Sequence, residues 1–396
     1  MSVSRGAEAA ELSSRLHARL HGYLEDLEAL VAMDSPTGDR EGVNRVGHVL
    51  GARLEALGCR VQLLPCSPYG DVVVGDLHGQ GQSRILLIGH MDTVYPTGTA
   101  AARPLVVRDG RAYGPATADE KGGVLVGLYA LQAVAELERR PFATLTFLLN
   151  GDEEVGSPGS ASIIAEYAAR ADAVLVLEAA RSNGALVSAR KGIAVYRLAV
   201  RGRAAHAGAN PEAGRNAVVE LCHKVLAVAA LNGRWPGVTL NAGVVRGGTV
   251  SNVVPDSAEA EIDVRAPDDA AAAAVDAALR LLAQSPVVPG TQTELTGGLN
   301  HPPMPCRPGT VALLALARRA AAELGFSVGD VTSGGASDAN RPSALGVPTL
   351  DGLGPIGAGA HSLDEHILID SIVPRIALLA RLIALHEESR AEATRA

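Results

Sequence analysis

The sequence predicts an α/β protein: a discontinuous domain whose mainly parallel sheet is flanked by helices, interrupted by an inserted α+β domain. Three features lead there. Near-continuous apolar runs of strand length alternate with helical runs through the first half of the chain, as in strands buried on both faces. From about residue 189, apolar and polar residues alternate singly, as in strands with one solvated face. Beyond about residue 299 helical runs return.

Taken in order, the stretch up to Met33 reads as an amphipathic helix with charges throughout. DVVVGDL and RILLIGHMD read as strands, GGVLVGLYALQAVAELERR as a helix, ATLTFLLN as a strand, SIIAEYAAR as a helix and ADAVLVLE as a strand. Ligands gather beyond the carboxyl ends of such strands, and His90, Glu153, Glu154 and Glu178 each follow one. In the insert, IAVYRLAVRG, VTLNAGVVRGG and SAEAEIDVRA read as strands, with a helix from about Gly214 to Leu231 between the first two. DDAAAAAVDAAL looks low in complexity, but alanine is the best helix former and a plain helix explains it. RPGTVALLALARRAAAELG, VPTLDGLG and a closing helix complete the first domain. The expected division is therefore 1–188 with 299–396, and 189–298.

A chain of 396 residues holds two domains of ordinary size. Its 47% hydrophobic and 20% charged residues describe a globular protein with a sizeable core. Nucleic acid is not an expected partner, because aromatic residues make up only 3% and the net charge is −8. No segment offers the roughly 18 charge-free apolar residues of a membrane span, and the N-terminus has no apolar core of signal-peptide kind. The cytoplasm is the expected location. Cys59, Cys66, Cys222 and Cys306 match no zinc ribbon or compact disulfide framework, so reduced structural thiols are expected.

Metal-seeking side chains fall in five short motifs: His90 in GHMDT, Asp119 in ATADEKGG, Glu154 in NGDEEVGS, Glu178 in VLVLEAA and His361 in GAGAHS. Two imidazoles and three carboxylates suit a pair of zinc ions. Glu153, beside Glu154, is a candidate base for a water activated by such ions. His90 and Asp92 form an H-x-D pair at the end of a strand. Gly122 and Gly123 open a helix and allow close backbone approach. His206 sits among small residues in RAAHAGAN, Asn252 lies in VSNVVP, and Arg265 in EIDVRA offers a planar fork suited to a carboxylate.

In this order and spacing, from about Gly89 to His361, the motifs resemble the M20 family of zinc peptidases and deacylases, most closely the branch with bacterial glutamate carboxypeptidase. The resemblance implies a catalytic domain with two Zn2+ per chain, Co2+ or Mn2+ being possible substitutes. Asp119 would bridge them, with His90 and Glu178 completing one site and Glu154 and His361 the other; His366 is the rival for the last place. It also implies a cis bond from Asp119 to Glu120, which stands where an aspartate is often found. Glu153 would be the proton shuttle. The insert becomes a lid and dimerisation domain of a homodimer, with His206 reaching the partner's site to stabilise the oxyanion. Asn252 and Arg265 would grip a free carboxylate on the substrate. SGGASDAN, from Ser333 to Asn340, resembles a glycine-rich pocket loop, but Thr332 or Ser333 stands where that branch carries an arginine, so a preference for glutamate is not implied. The expected reaction hydrolyses a C-terminal peptide or N-acyl amide bond and releases an amino acid. Carboxypeptidase and N-acyl-amino-acid deacylase share this chemistry; a catalytically idle ligand-binding homologue is the reading from another class.

Overall fold

A computed structural model describes residues 2–395, with side chains described over 8–392. The chain forms two units. The first comprises Met1–Ala189, Cys306–Thr332 and Ser337–Ala396, and the second Arg190–Pro305 with Ser333–Ala336.

The first unit is built on a six-stranded sheet in the order Arg60–Leu64, Val72–His78, Thr144–Asn150, Arg84–His90, Ala173–Val176, Thr349–Leu350. The last four are parallel to one another, and the first two join antiparallel at one edge. Ile85 to Ile88 and Ala173 to Val176 are all buried, which is why these strands carry no polar alternation.

The helix Gly122–Ala135 is apolar on every side and almost wholly buried, as a helix without a polar face must be. Its start needs glycine. A Cβ on Gly123 would lie 1.9 Å from the Leu177 carbonyl oxygen, and one on Gly122 would lie 2.3 Å from that of Thr117. This close approach brings the helix start against the strand end that carries Glu178.

The N-terminal stretch differs from the expected single helix. It forms Ser2–His17 and Leu20–Val31, separated by a turn at Ala18 and Arg19. The break lets the second helix bury Tyr23, Leu27, Leu30 and Val31 in the core, while Leu16 serves the first.

In the second unit four antiparallel strands run in the order Thr239–Gly247, Ser257–Ala266, Gly192–Arg201, Gln292–His301. Ala194, Tyr196, Leu198 and Val200 are buried and Val195 and Arg197 exposed, the alternation of a half-solvated strand. Helices Ala217–Ala229 and Asp269–Gln284 supply the rest of this core. Each starts at a capping side chain, Asn216 accepting from the Val219 amide and Asp268 from that of Ala271. The boundary expected at 298 falls inside the strand Gln292–His301, whose pairing with Gly192–Arg201 continues to His301. The excursion of Ser333–Ala336 into the second unit was not anticipated.

All four cysteines are unpaired. Cys59 and Cys66 are buried, but Cys222 and Cys306 are exposed and do not fit the expected packed thiols. No helix among the described residues is long and apolar enough to cross a membrane.

Gly123→Ala is expected to lower stability by at least about 2 kcal/mol, since the new methyl meets a backbone oxygen that cannot give way. Gly38→Ala, whose Cβ meets nothing within 4 Å, should stay within about 0.5 kcal/mol of the parent. Urea midpoints of the two variants check this, and equal midpoints would remove the packing argument.

Candidate metal centre

His90 closes the strand Arg84–His90 with only 2% of its surface exposed. Its Nε2 lies 2.9 Å from Oδ1 of Asp119 and 3.9 Å from Oε1 of Glu178. Asp119 sits in an irregular turn, Thr117–Lys121, and its peptide bond to Glu120 is cis. The other Asp119 oxygen, Oδ2, lies 3.1 Å from Nε2 of His361, which is 3.2 Å from Oε2 of Glu154. Two groups of potential ligand atoms result, each within 4.8 Å: His90, Glu153 and Glu178, and Asp119, Glu154 and His361. One carboxylate thus faces an imidazole of each group. His366 belongs to neither; its Nδ1 is 2.7 Å from the Asp364 carbonyl and its ring packs on Tyr113.

Asp92 binds the parts together. Its Oδ1 accepts from the Glu153 amide at 3.1 Å, and its Oδ2 accepts from the Glu154 amide at 3.2 Å and the Thr37 hydroxyl at 2.7 Å. The Nδ1 of His90 lies 3.4 Å from Oδ1 of Asp92 and 3.1 Å from its backbone carbonyl. On the far side, Asn150 donates to Asp338 at 2.7 Å and Ser157 donates to it at 2.5 Å, anchoring the turn that carries Glu153 and Glu154.

Sequence reasoning missed Glu365. Its carboxylate accepts from the amides of Ala116, Ala118 and Asp119 at 3.0, 2.8 and 3.0 Å and from the Tyr95 hydroxyl at 2.5 Å. It therefore holds the turn bearing Asp119 from the segment bearing His361. Arg103 donates to the Leu363 carbonyl at 2.8 Å and steadies the same segment. His361 itself has φ of 62°, a left-handed conformation costly for a side chain with a Cβ. Only the acid four residues after His361 hinted at Glu365.

Six carboxylates crowd two imidazoles here, and burial makes their charges expensive. Burial, with Glu178 and Asp338 adding to it, pushes the Glu153 carboxyl well above its usual range. Burial likewise lifts Glu120, and lifts Glu154 to about 7. At Asp119 burial opposes ionisation, but hydrogen bonds to His361 and His90 outweigh it and hold the group well below the carboxylate range. Hydrogen bonding to Asp119 raises His361 to about 9. Oε1 of Glu154 is buried without a hydrogen-bond partner among the described residues. An orphaned carboxylate oxygen, a shared carboxylate and two imidazoles fit a pair of divalent cations.

The remaining predicted residues lie in the second unit. Nδ1 of the exposed His206 accepts from the amides of Gly208 and Ala209 at 3.2 and 3.1 Å, which leaves the hydrogen on Nε2, aimed outward as a donor. The strand Ala205–His206 pairs with Val253–Val254, and the Ala207 amide donates to Asn252 at 2.9 Å, so His206 and Asn252 travel together. Arg265 does not join them. It sits near the other end of the strand Ser257–Ala266, eight residues or roughly 26 Å from Ser257.

Residues 86–385 match the profile of peptidase family M20/M25/M40. The chain belongs to this family. It is 36% identical over 368 residues to carboxypeptidase G2 of Pseudomonas sp. (strain RS-16), covering 91% of this chain and 88% of that protein. It is 29% identical over 374 residues to succinyl-diaminopimelate desuccinylase of Stenotrophomonas maltophilia (strain R551-3), covering 89% and 96%. In fold it resembles a dinuclear metal-binding peptidase of the M20 family from Bacillus subtilis, with a TM-score of 0.71 at 15% identity, covering 94% and 99%. As an M20 enzyme the chain is a metallopeptidase or amidohydrolase.

The direction of these shifts sets a pH dependence. Glu154 rises from 4.5 to about 7 and His361 from 6.5 to about 9, so the folded metal-free chain holds more protons than the unfolded chain in that window. Its stability should fall as pH rises from about 5 to 9. Cations replace those protons, so the gap in Tm between loaded and chelated protein should widen with pH. A gap independent of pH would contradict this electrostatic account.

Proposed function

We propose that this M20 enzyme is a dinuclear zinc amidohydrolase that cleaves the amide bond before a C-terminal or N-acylated amino acid and releases that amino acid. The observation that carries the reading is the Asp119 carboxylate, facing an imidazole of each ligand group, with Glu153 beside His90 and Glu178. His90, Asp119 and Glu178 would hold one ion and Asp119, Glu154 and His361 the other. When bound, the pair supplies Lewis acidity to the scissile carbonyl and acidifies the attacking water.

The chain's own residues then move the protons. Glu153 takes one from the attacking water and delivers it to the leaving amine, as a buried carboxylate at this position is suited to do. Asp92 orients the His90 ring. Arg265 grips the free carboxylate of the substrate, while the Nε2–H of His206 stabilises the oxyanion with Asn252 beside it. Arg265 lies near the end of the strand Ser257–Ala266 remote from Ser257, while His206 and Asn252 travel together on the paired strands Ala205–His206 and Val253–Val254. The proposed unit is a homodimer in which the partner subunit's His206 completes each site.

Deacylation of N-acyl amino acids is the second reading. The desuccinylase relative favours it, as does Thr332 or Ser333 in place of an arginine before the glycine run. A panel of dipeptides, folate-like glutamates and N-acyl amino acids, assayed for released amine, separates the two.

Glu153→Gln is expected to lower turnover by roughly 100- to 10,000-fold while two metal ions per chain remain bound. Near-normal turnover, or loss of metal, would remove Glu153 from its role. For the dimer, His206→Ala and Glu153→Ala chains should each be nearly inactive, yet purified heterodimers should recover up to about half of parental turnover, since one site in each is whole. Verified heterodimers without activity would place His206 elsewhere.

A further inference from the structure

We propose that Asp263 is a positioning residue that aims Arg265 at the substrate carboxylate, an inference that rests on the reading of Arg265 given above. Strand periodicity puts both side chains on the same face of Ser257–Ala266, two residues apart, the face opposite the buried Ala260, Ile262 and Val264. Nε of Arg265 donates to Oδ1 of Asp263 at 2.8 Å and Nη2 donates to Oδ2 at 3.0 Å. This bidentate pair occupies the lateral edge of the guanidinium. A guanidinium has five N–H donors in a fixed plane, and Asp263 uses two. The remaining three, on Nη1 and the outer side of Nη2, have no acceptor among the described residues and form a second edge of the kind that takes a carboxylate.

The other charges on this face are already matched. Glu259 and Glu261 meet Arg246, and Glu259 also meets Arg197, so Asp263 is the carboxylate left to serve Arg265. Arg265 and Asp263 are 31% and 37% exposed, enough for a ligand to reach the free edge and enough burial to hold the pair in one geometry. A long side chain pinned beforehand loses less freedom when its ligand arrives. Asp263 therefore supports affinity for the acid through the orientation of Arg265. It does not compete for the fork.

The test compares the acyl-amino acid turned over fastest in the panel with its primary carboxamide, using metal-loaded dimer. Asp263→Ala should raise KM for the acid about tenfold with little change in kcat, and alter kcat/KM for the carboxamide far less. Asp263→Asn, which keeps one acceptor oxygen, should fall between Asp263→Ala and the parent. A lower KM for the acid in either variant would make Asp263 a competitor and overturn the proposal, as would equal losses on both substrates. Arg265→Ala separates the two levels of inference. If it abolishes discrimination between acid and carboxamide while the Asp263 variants keep it, the positioning role alone is wrong; if Arg265→Ala also keeps it, the reading of Arg265 fails first.

Discussion

The carboxylate of Asp92 is completely buried, and two backbone amides, one hydroxyl and a histidine ring converge on it. A buried charge is tolerable only when its lone pairs are satisfied. The groups around this one belong to candidate site residues: the amides are those of Glu153 and Glu154, and the ring is that of His90. The strand ending at His90 and the turn following Asn150 are thereby locked in one register, already adjacent through the parallel pairing of His90 with Asn150. Removing Asp92 would free the imidazole and the acidic turn together, which is why a side chain that touches no metal sets the geometry of those that can.

The same centre carries a cost. Asp119, Glu120, Glu153, Glu154 and Glu178 crowd around the buried His90 and the exposed His361, and their mutual repulsion opposes folding unless protons or cations intervene. Glu365 offsets part of this by accepting three amides from the turn that bears Asp119. Function needs the crowding that stability resists, a conflict common at catalytic sites.

Much of this architecture was legible in the sequence. The parallel sheet declared itself through apolar runs such as RILLIGH, and the one-sided sheet of the second unit through EAEIDVRA. Of the candidate ligands, His90, Glu154 and Glu178 stood out because each follows an apolar strand, whereas Asp119 and His361 lie in turns and were singled out by their resemblance to family motifs. What escaped was contact between residues remote in sequence. Glu365 recognises amides some 250 positions earlier, and nothing local distinguishes it from a surface acid. The break at Ala18 and Arg19 depends on where Tyr23 and Leu27 find their core. The last strand of the second unit outruns its expected end because Gly297 and Gly298 obscure a pairing that continues to His301.

The spacing of the two ligand groups also orders events during synthesis. His90, Glu153 and Glu178 are all present once the first 178 residues exist, whereas the second group waits for His361, which lies 242 positions beyond Asp119. At translation rates of about 5 to 20 residues per second, the interval between Glu178 and His361 lasts roughly 10 to 40 s. For that time the growing chain carries every residue of the first ligand group and only part of the second, so the two groups are completed one after the other.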